Sequence, residues 1–221
     1  MTKDNCVHKV PLLQNLSPSE KDLIYPLIHH KTIQKGEIVQ SPETEAQLTI
    51  VASGQLKVYK LNPNGKEQLI RMVHEGEYEG ENYIFGLKNQ SIYIEAVCES
   101  KICCLSQKSV NDILTNYPQV GYQLLQLNAQ KTVALGEQNQ LLAIDDIETR
   151  IAKYLISLSQ EKHNGNHITI SIPLKEVASY LATSPETISR KLKHLEETDL
   201  IQRRGRHIQL LNNFWQRFGV S

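Results

Sequence analysis

The chain has 221 residues, 40% of them hydrophobic, and as many basic as acidic side chains. That suffices for packed cores in one large domain or two smaller ones. No run approaches the roughly 18 apolar residues needed to span a membrane, and the polar start MTKDNCVHK has no signal core, so a cytoplasmic protein is expected. In that compartment the four cysteines are structural, metal-binding or redox-active thiols rather than a secreted disulfide framework. The zero net charge hides a split. From Asp145 to the end, 11 Lys and Arg oppose 9 Asp and Glu; between Arg190 and Arg217 the balance is 7 to 3. A phosphate-contacting surface needs such a concentration of positive charge.

In chain order, residues 1–10 are polar and carry Cys6 and His8. Ser17-Pro18-Ser19-Glu20 reads as a capping box with proline at the first helical position, predicting a short helix to about Ile28. From Lys31 to about Ser106 the pattern changes to short β-type runs: Thr32–Ile33, Ile38–Val39, Leu48–Val51, Gln55–Leu61, Gln68–Val73, Ile92–Val97 and Lys101–Leu105. Glycine-bearing breaks separate them, and Asn64-Gly65 is a strong hairpin signal. Many short strands with regular turns predict a small antiparallel barrel or sandwich.

Ser109 to about Thr115 predicts a short helix, and Pro118 opens a long one to about Ala143. Along it Leu124, Leu127, Lys131, Leu135, Gln138 and Leu142 step by three or four residues, a narrow mixed stripe that predicts a two-chain seam. Ile144 to about Leu158 is a further amphipathic helix with Ile147, Ile151, Tyr154, Leu155 and Leu158 inward, and Ile168–Ile172 alternates like a strand. Leu174 to Leu195 then reads as two helices joined by a turn at Ala182-Thr183. Leu174, Val177, Ala178 and Leu181 form the apolar face of the first. Ser184 stands as N-cap of the second, with Pro185 after it and Glu186 in its first turn. Ile188, Leu192 and Leu195 face inward; Glu186, Ser189, Arg190 and Lys193 face out. A carboxylate, a small hydroxyl and a guanidinium at the N-terminal end of such a helix suit base edges in a major groove. Arg203-Arg204-Gly205-Arg206-His207 makes a turn between two short strands, and its three arginines suit phosphates.

The stretch SPETISRKLKHLEETDLIQRRGRHIQL resembles the recognition helix and wing of the CRP/FNR family of bacterial transcription regulators, and the Glu186-x-x-Ser189-Arg190 spacing is similar to the FNR-type reading set. IVASGQLKVYKLNPNGKEQLIRMVHEGEYEGEN resembles that family's cyclic-nucleotide-binding β-roll, with Gly36, Gly54, Gly65, Gly76 and Gly80 at its turn positions. The resemblance is nearest to FNR-like proteins of low-GC Gram-positive, lactic-acid-type bacteria. It implies an α+β fold: an antiparallel β-roll (residues 1–116), a long dimerisation helix (117–143) and a winged helix-turn-helix (144–221). It further implies a homodimeric, non-enzymatic regulator reading a palindrome similar to TTGAT-N4-ATCAA, with RNA polymerase as a partner wherever it activates. Arg190 is expected on a guanine, Glu186 on a cytosine amino group and Ser189 against a thymine. Ser184, Thr187, Lys193, Arg203, Arg204 and Arg206 are expected on phosphates.

The effector stays open at this level. The family's phosphate-binding Arg-Ser pair falls at Gln90-Ser91, and Glu75, Glu77, Glu79 and Glu81 would repel an anion, so cyclic nucleotide binding is expected to be lost. The iron–sulfur members carry clustered N-terminal cysteines; here Cys6 stands alone at the front, with Cys98, Cys103 and Cys104 far away, so no cluster is expected. Nor does any metal-ligand spacing recur around Cys6, His8 and His74. What the resemblance leaves is a thiol–disulfide switch between Cys6 and Cys103, with Cys104 as competitor on the opposite side of the strand. Inert structural thiols, iron–sulfur or other small-molecule sensing in the same family, and a β-roll binding protein with a vestigial DNA-binding domain remain the alternatives.

Overall fold

Ser17 opens the first α-helix as its spacing to Glu20 predicts. The Ser17 hydroxyl accepts the Glu20 amide at 3.3 Å, and the Glu20 carboxylate accepts the Ser17 amide at 2.7 Å. This helix, α1, spans Pro18–Ile24 and gives way to a 3₁₀ turn at Tyr25–Leu27. The computed structural model describes Val7 and residues 10–161 and 165–219. The chain divides into two units, Met1–Val133 and Ala134–Ser221.

In the first unit the strands are β1 (His29–Ile33), β2 (Ile38–Gln40), β3 (Gln47–Ser53), β4 (Leu56–Leu61), β5 (Glu67–Val73), β6 (Tyr78–Glu79), β7 (Ile92–Ala96) and β8 (Ser100–Ser106). They form two four-stranded sheets of order β1-β8-β3-β6 and β2-β7-β4-β5, antiparallel throughout, which is the expected β-roll. The Asn64-Gly65 signal sits in the β4–β5 hairpin, but in a five-residue loop in which the Asn62 side chain accepts the amides of Asn64 and Lys66. Alternation along β8 divides the apolar residues between two cores. Ile102 and Cys104 join Val51, Leu56, Val58, Val73 and Ile94 between the sheets. Cys103 and Leu105 face outward, where helices cover them with Ile24, Val110, Ile113, Val120 and Leu124. Two turns require glycine. At Gly54, φ is +90° and a Cβ would lie 2.7 Å from the Glu99 carbonyl oxygen; at Gly80, φ is +101° and a Cβ would collide with the Gln47 carbonyl.

Helices α2 (Glu81–Ile84), α3 (Gln107–Asn116) and α4 (Pro118–Leu142) follow, and the boundary between the units falls inside α4. The stripe Leu124, Leu127, Lys131, Leu135, Gln138 and Leu142 is partly engaged within the chain itself. Leu124 is 4% exposed inside the roll's own core, and Leu127 packs against that core. Lys131 is tied to the roll's acidic turn, and Gln138, 6% exposed, donates to the Tyr180 carbonyl at 3.4 Å. Leu142 is half-buried and Leu135 is exposed. The apolar face left open lies about half a turn round the helix, where Tyr122, Leu125 and Val133 are each more than 60% exposed beside Ala129 and Gly136. The reason is physical: where α4 lies on the roll, Leu124 and Leu127 are spent on the roll's own core.

The second unit contains α5 (Ile147–Glu161), β9 (His167–Thr169), α6 (Leu174–Tyr180), α7 (Pro185–Glu197), β10 (Ile201–Arg204), β11 (His207–Leu210) and α8 (Asn212–Phe218). The three strands make an antiparallel sheet of order β10-β11-β9. Its core collects Ile151 and Leu155 from α5, Val177 from α6 and Leu181 just after it, Ile188, Leu192 and Leu195 from α7, and Phe214 from α8. The last helix has no counterpart in the sequence reading; Phe214 and Phe218, one turn apart and 5.2 Å between ring centroids, are its signal.

Candidate nucleic-acid interface

The turn between α6 and α7 is made by Ala182, held at φ +50°, while the Thr183 amide donates to the Ala178 carbonyl at 2.8 Å. A left-handed alanine costs roughly 1–2 kcal/mol, so something must hold it. Arg150 on α5 donates to the adjacent Leu181 carbonyl at 2.9 Å. The Ser184 hydroxyl accepts the Thr187 amide at 3.2 Å, the cap that Ser184-Pro185 predicts.

With Ile188, Leu192 and Leu195 buried, the outer face of α7 carries Glu186, Ser189, Arg190 and Lys193, all exposed. The Glu186 carboxyl is held below its ordinary range by its own backbone N–H in the first turn and then by the Ser184 hydroxyl. It is therefore an acceptor at neutral pH, as contact with a cytosine amino group requires. The expected phosphate-contacting residues differ in freedom. The Ser184 hydroxyl is already spent on the cap and on Thr187 Oγ1 at 3.1 Å. Lys193 makes a loose, exposed pair with Glu197 at 3.3 Å. Arg203 is folded back, its Nε donating to the Gly205 carbonyl at 2.9 Å, whereas Arg204 and Arg206 stand exposed at the tip of the β10–β11 hairpin.

One group was not legible in the sequence. Glu148, in the first turn of α5, is 5% exposed. Its carboxylate accepts Lys191 Nζ at 3.1 Å and Arg217 at 2.8 Å, with His194 Nε2 at 3.7 Å. In sequence it looks like an ordinary first-turn acid.

In the roll, Lys131 Nζ donates to Glu81 Oε1 and to the Tyr78 carbonyl, each at 2.8 Å, and lies 3.8 Å from the centroid of the Tyr78 ring. Arg71 Nε lies 3.1 Å from Glu79 Oε2. Burial pushes the Glu79 carboxyl up and the Lys131 ammonium down, each partly offset by the other's charge. Gln90 and Ser91 are exposed. Of the redox candidates, Cys103 is fully buried, engaged in a disulfide, and has its sulfur 3.5 Å from His30 Nδ1. Cys104 is free and faces the roll interior, where burial pushes its thiol up. Cys98 is free and exposed. Cys6 lies outside the described residues, as does His8. Among the described residues no group of three or more His, Cys, Asp or Glu could hold a metal ion, and no helix is long and apolar enough to cross a membrane.

A β-roll followed by a long helix and a winged helix-turn-helix with a solvent-facing recognition helix defines a class of DNA-binding regulators. Residues 30–117 match the cyclic nucleotide-binding domain family and residues 149–213 the Crp-like helix-turn-helix domain family. The chain is 38% identical over 208 residues to the probable transcriptional regulator flp of Lacticaseibacillus casei, covering 94% of each protein. It is 26% identical to the fumarate and nitrate reduction regulatory protein of Vibrio cholerae, covering 90% of this chain and 81% of the other. A CooA variant from Carboxydothermus hydrogenoformans superposes with a TM-score of 0.76 at 18% identity, covering 90% of each chain. The chain belongs to the CRP/FNR family of transcription regulators, in the subgroup represented by the Lacticaseibacillus relative.

That family's β-roll raises the question of a cyclic nucleotide. The groups on the turn do not fit an anionic phosphate. Glu79 and Glu81 present carboxylates there, and the nearby cations, Arg71 and Lys131, are already paired with them.

Proposed function

We propose that the protein is a homodimer that reads a palindrome similar to TTGAT-N4-ATCAA through the outer face of α7. One observation carries this reading: Ile188, Leu192 and Leu195 lock one side of the helix into the core while Glu186, Ser189 and Arg190 stand free on the other. Arg190 donates two hydrogen bonds to a guanine, Glu186 accepts from a cytosine amino group, and Ser189 sits against a thymine methyl. Lys193, Arg204, Arg206 and the hydroxyl proton of Thr187 meet phosphates, fixing register without reading sequence. Two copies pair along Tyr122, Leu125, Ala129, Val133 and Gly136 of α4, since an exposed stripe at three- and four-residue steps suits a two-helix seam. Two-fold symmetry then demands a palindrome with half-sites about one helical turn apart. RNA polymerase is the further partner wherever the protein activates.

The sensing chemistry we assign is a reversible dithiol–disulfide interconversion of Cys6 and Cys103, in which forming the S–S bond passes two electrons and two protons to an external oxidant such as a diazene or another disulfide, and not cyclic nucleotide binding. Its support is that Cys103 is disulfide-bonded and that Val7, the neighbour of Cys6 in the chain, is buried in the same cluster as Cys103. Selection of bound sites from random duplexes, with diamide or with reductant, tests both parts. The expected result is enrichment of the palindrome, with affinity that changes between the two states in wild type but not in Cys6→Ser. Equal affinity in both states for wild type would remove the switch; failure to enrich any sequence would remove the DNA reading.

A further inference from the structure

We propose that Glu148 sets the roll of the recognition helix α7 and thereby its base discrimination. It is a positioning residue that need not touch DNA. The inference rests on the reading of α7 given above. Lys191 and His194 lie one helical turn apart on one flank of α7, between the buried Ile188–Leu192–Leu195 side and the outer Glu186–Ser189–Arg190 side. The apolar floor holds the helix down, but hydrophobic contact is non-directional, so a small roll about the helix axis costs little there. Charge-assisted hydrogen bonds are short and directional. Glu148 supplies that direction from α5 by accepting Lys191 at 3.1 Å on Oε2 and Arg217 of α8 at 2.8 Å on Oε1, while His194 Nε2 stands beside it at 3.7 Å. On the other flank the clamp is weaker, Glu196 Oε1 accepting the Arg203 amide of the wing at 3.3 Å. One buried anion therefore ties two neighbouring elements, α7 and α8, to the start of α5.

Burying a carboxylate is costly, and apolar residues at such a place are often as stable. What the ion cluster adds is a single geometry. It also withholds charge. Lys191 and Arg217 are 29% and 50% exposed in their side chains, and without Glu148 both would be free to meet any phosphate. Removing the carboxylate should thus loosen discrimination while leaving, or raising, attraction for DNA of any sequence.

The test uses full-length protein, wild type and Glu148→Gln, with Glu197→Gln as control because it opens an exposed pair on the same helix. Affinity is measured at fixed salt for the palindrome and for a scrambled duplex of equal length and composition, and the salt slope is taken on the scrambled duplex. For Glu148→Gln the ratio of the two affinities should fall about ten- to hundredfold, the scale of one misaligned base contact. Scrambled-duplex affinity should stay level or rise, with a steeper salt slope; Glu197→Gln should keep the wild-type ratio. If circular dichroism finds Glu148→Gln unfolded, the pair Lys191→Met with His194→Gln, which leaves Glu148 its Arg217 partner, should give the same loss of ratio. An unchanged ratio in the folded variant, or an equal loss on both duplexes, would overturn the inference. A wild type without preference for the palindrome would instead overturn the DNA reading beneath it.

Discussion

Lys131 and Glu81 form a largely buried ion pair, Nζ to Oε1 at 2.8 Å with side chains 14% and 5% exposed, joining the long helix α4 to the acidic turn of the roll. The pair stands at the turn where cyclic-nucleotide-binding relatives are expected to hold a phosphate, and it turns that turn's charge inward. Replacing Lys131 with Met leaves Glu79 and Glu81 buried without their ammonium. Breaking such a pair costs about 3–5 kcal/mol. Urea unfolding of the roll should register that loss; a change under about 1 kcal/mol would mean the pair is idle.

The same geometry predicts indifference to cyclic nucleotides. Calorimetry with cyclic AMP and cyclic GMP at millimolar concentration should give no heat of binding, because the turn's cations, Arg71 and Lys131, are already paired with Glu79 and Glu81. A micromolar dissociation constant for either would contradict this.

Two neighbouring leucines of α4 should behave oppositely. Leu125 is 69% exposed and Leu124 is 4% exposed. Leu125→Glu should give monomers by light scattering with the roll's stability intact. Leu124→Ala should keep the dimer mass and lose about 2–5 kcal/mol of stability, as a core truncation does. The reverse pattern would put the seam on the other face.

Asp146 accepts the Thr149 hydroxyl at 2.6 Å and its amide at 2.8 Å ahead of α5. Those bonds, the hydroxyl's first, hold its carboxyl below the ordinary 3.8. The sign follows from linkage: a depressed carboxyl adds stability above its unfolded value, and that stability is lost as pH falls through the folded value. Asn is as good a cap as Asp but does not titrate. The stability advantage of wild type over Asp146→Asn, read as the difference in urea midpoint, should therefore shrink as pH is lowered from 7 to below about 4. A difference that grows on acidification would contradict the assignment.

The sequence carried the local rules well and the pairings of faces poorly. Ser17 with Glu20 and Ser184 with Pro185 named their caps because capping is decided within four residues. The strands of the roll were readable from β-branched runs between glycines, except β6, whose two residues are too short to alternate. Along α4 periodicity names a stripe but not what it touches, because apolar residues occupy more than one face: Leu124 lies in the roll's core and Leu125 is exposed. Glu148 was hidden because its partners stand 43, 46 and 69 positions further along, so only the folded chain reveals them.

Arg190, on the free face of α7, should read a guanine. The most direct measurement is fluorescence anisotropy with the palindrome and with a duplex altered only at that base pair, for wild type and Arg190→Ala. Wild type should prefer the intact site, and Arg190→Ala should lose about 1–3 kcal/mol on it while binding the two duplexes alike. Equal losses on both duplexes, with the preference intact, would make Arg190 a phosphate contact and contradict the account.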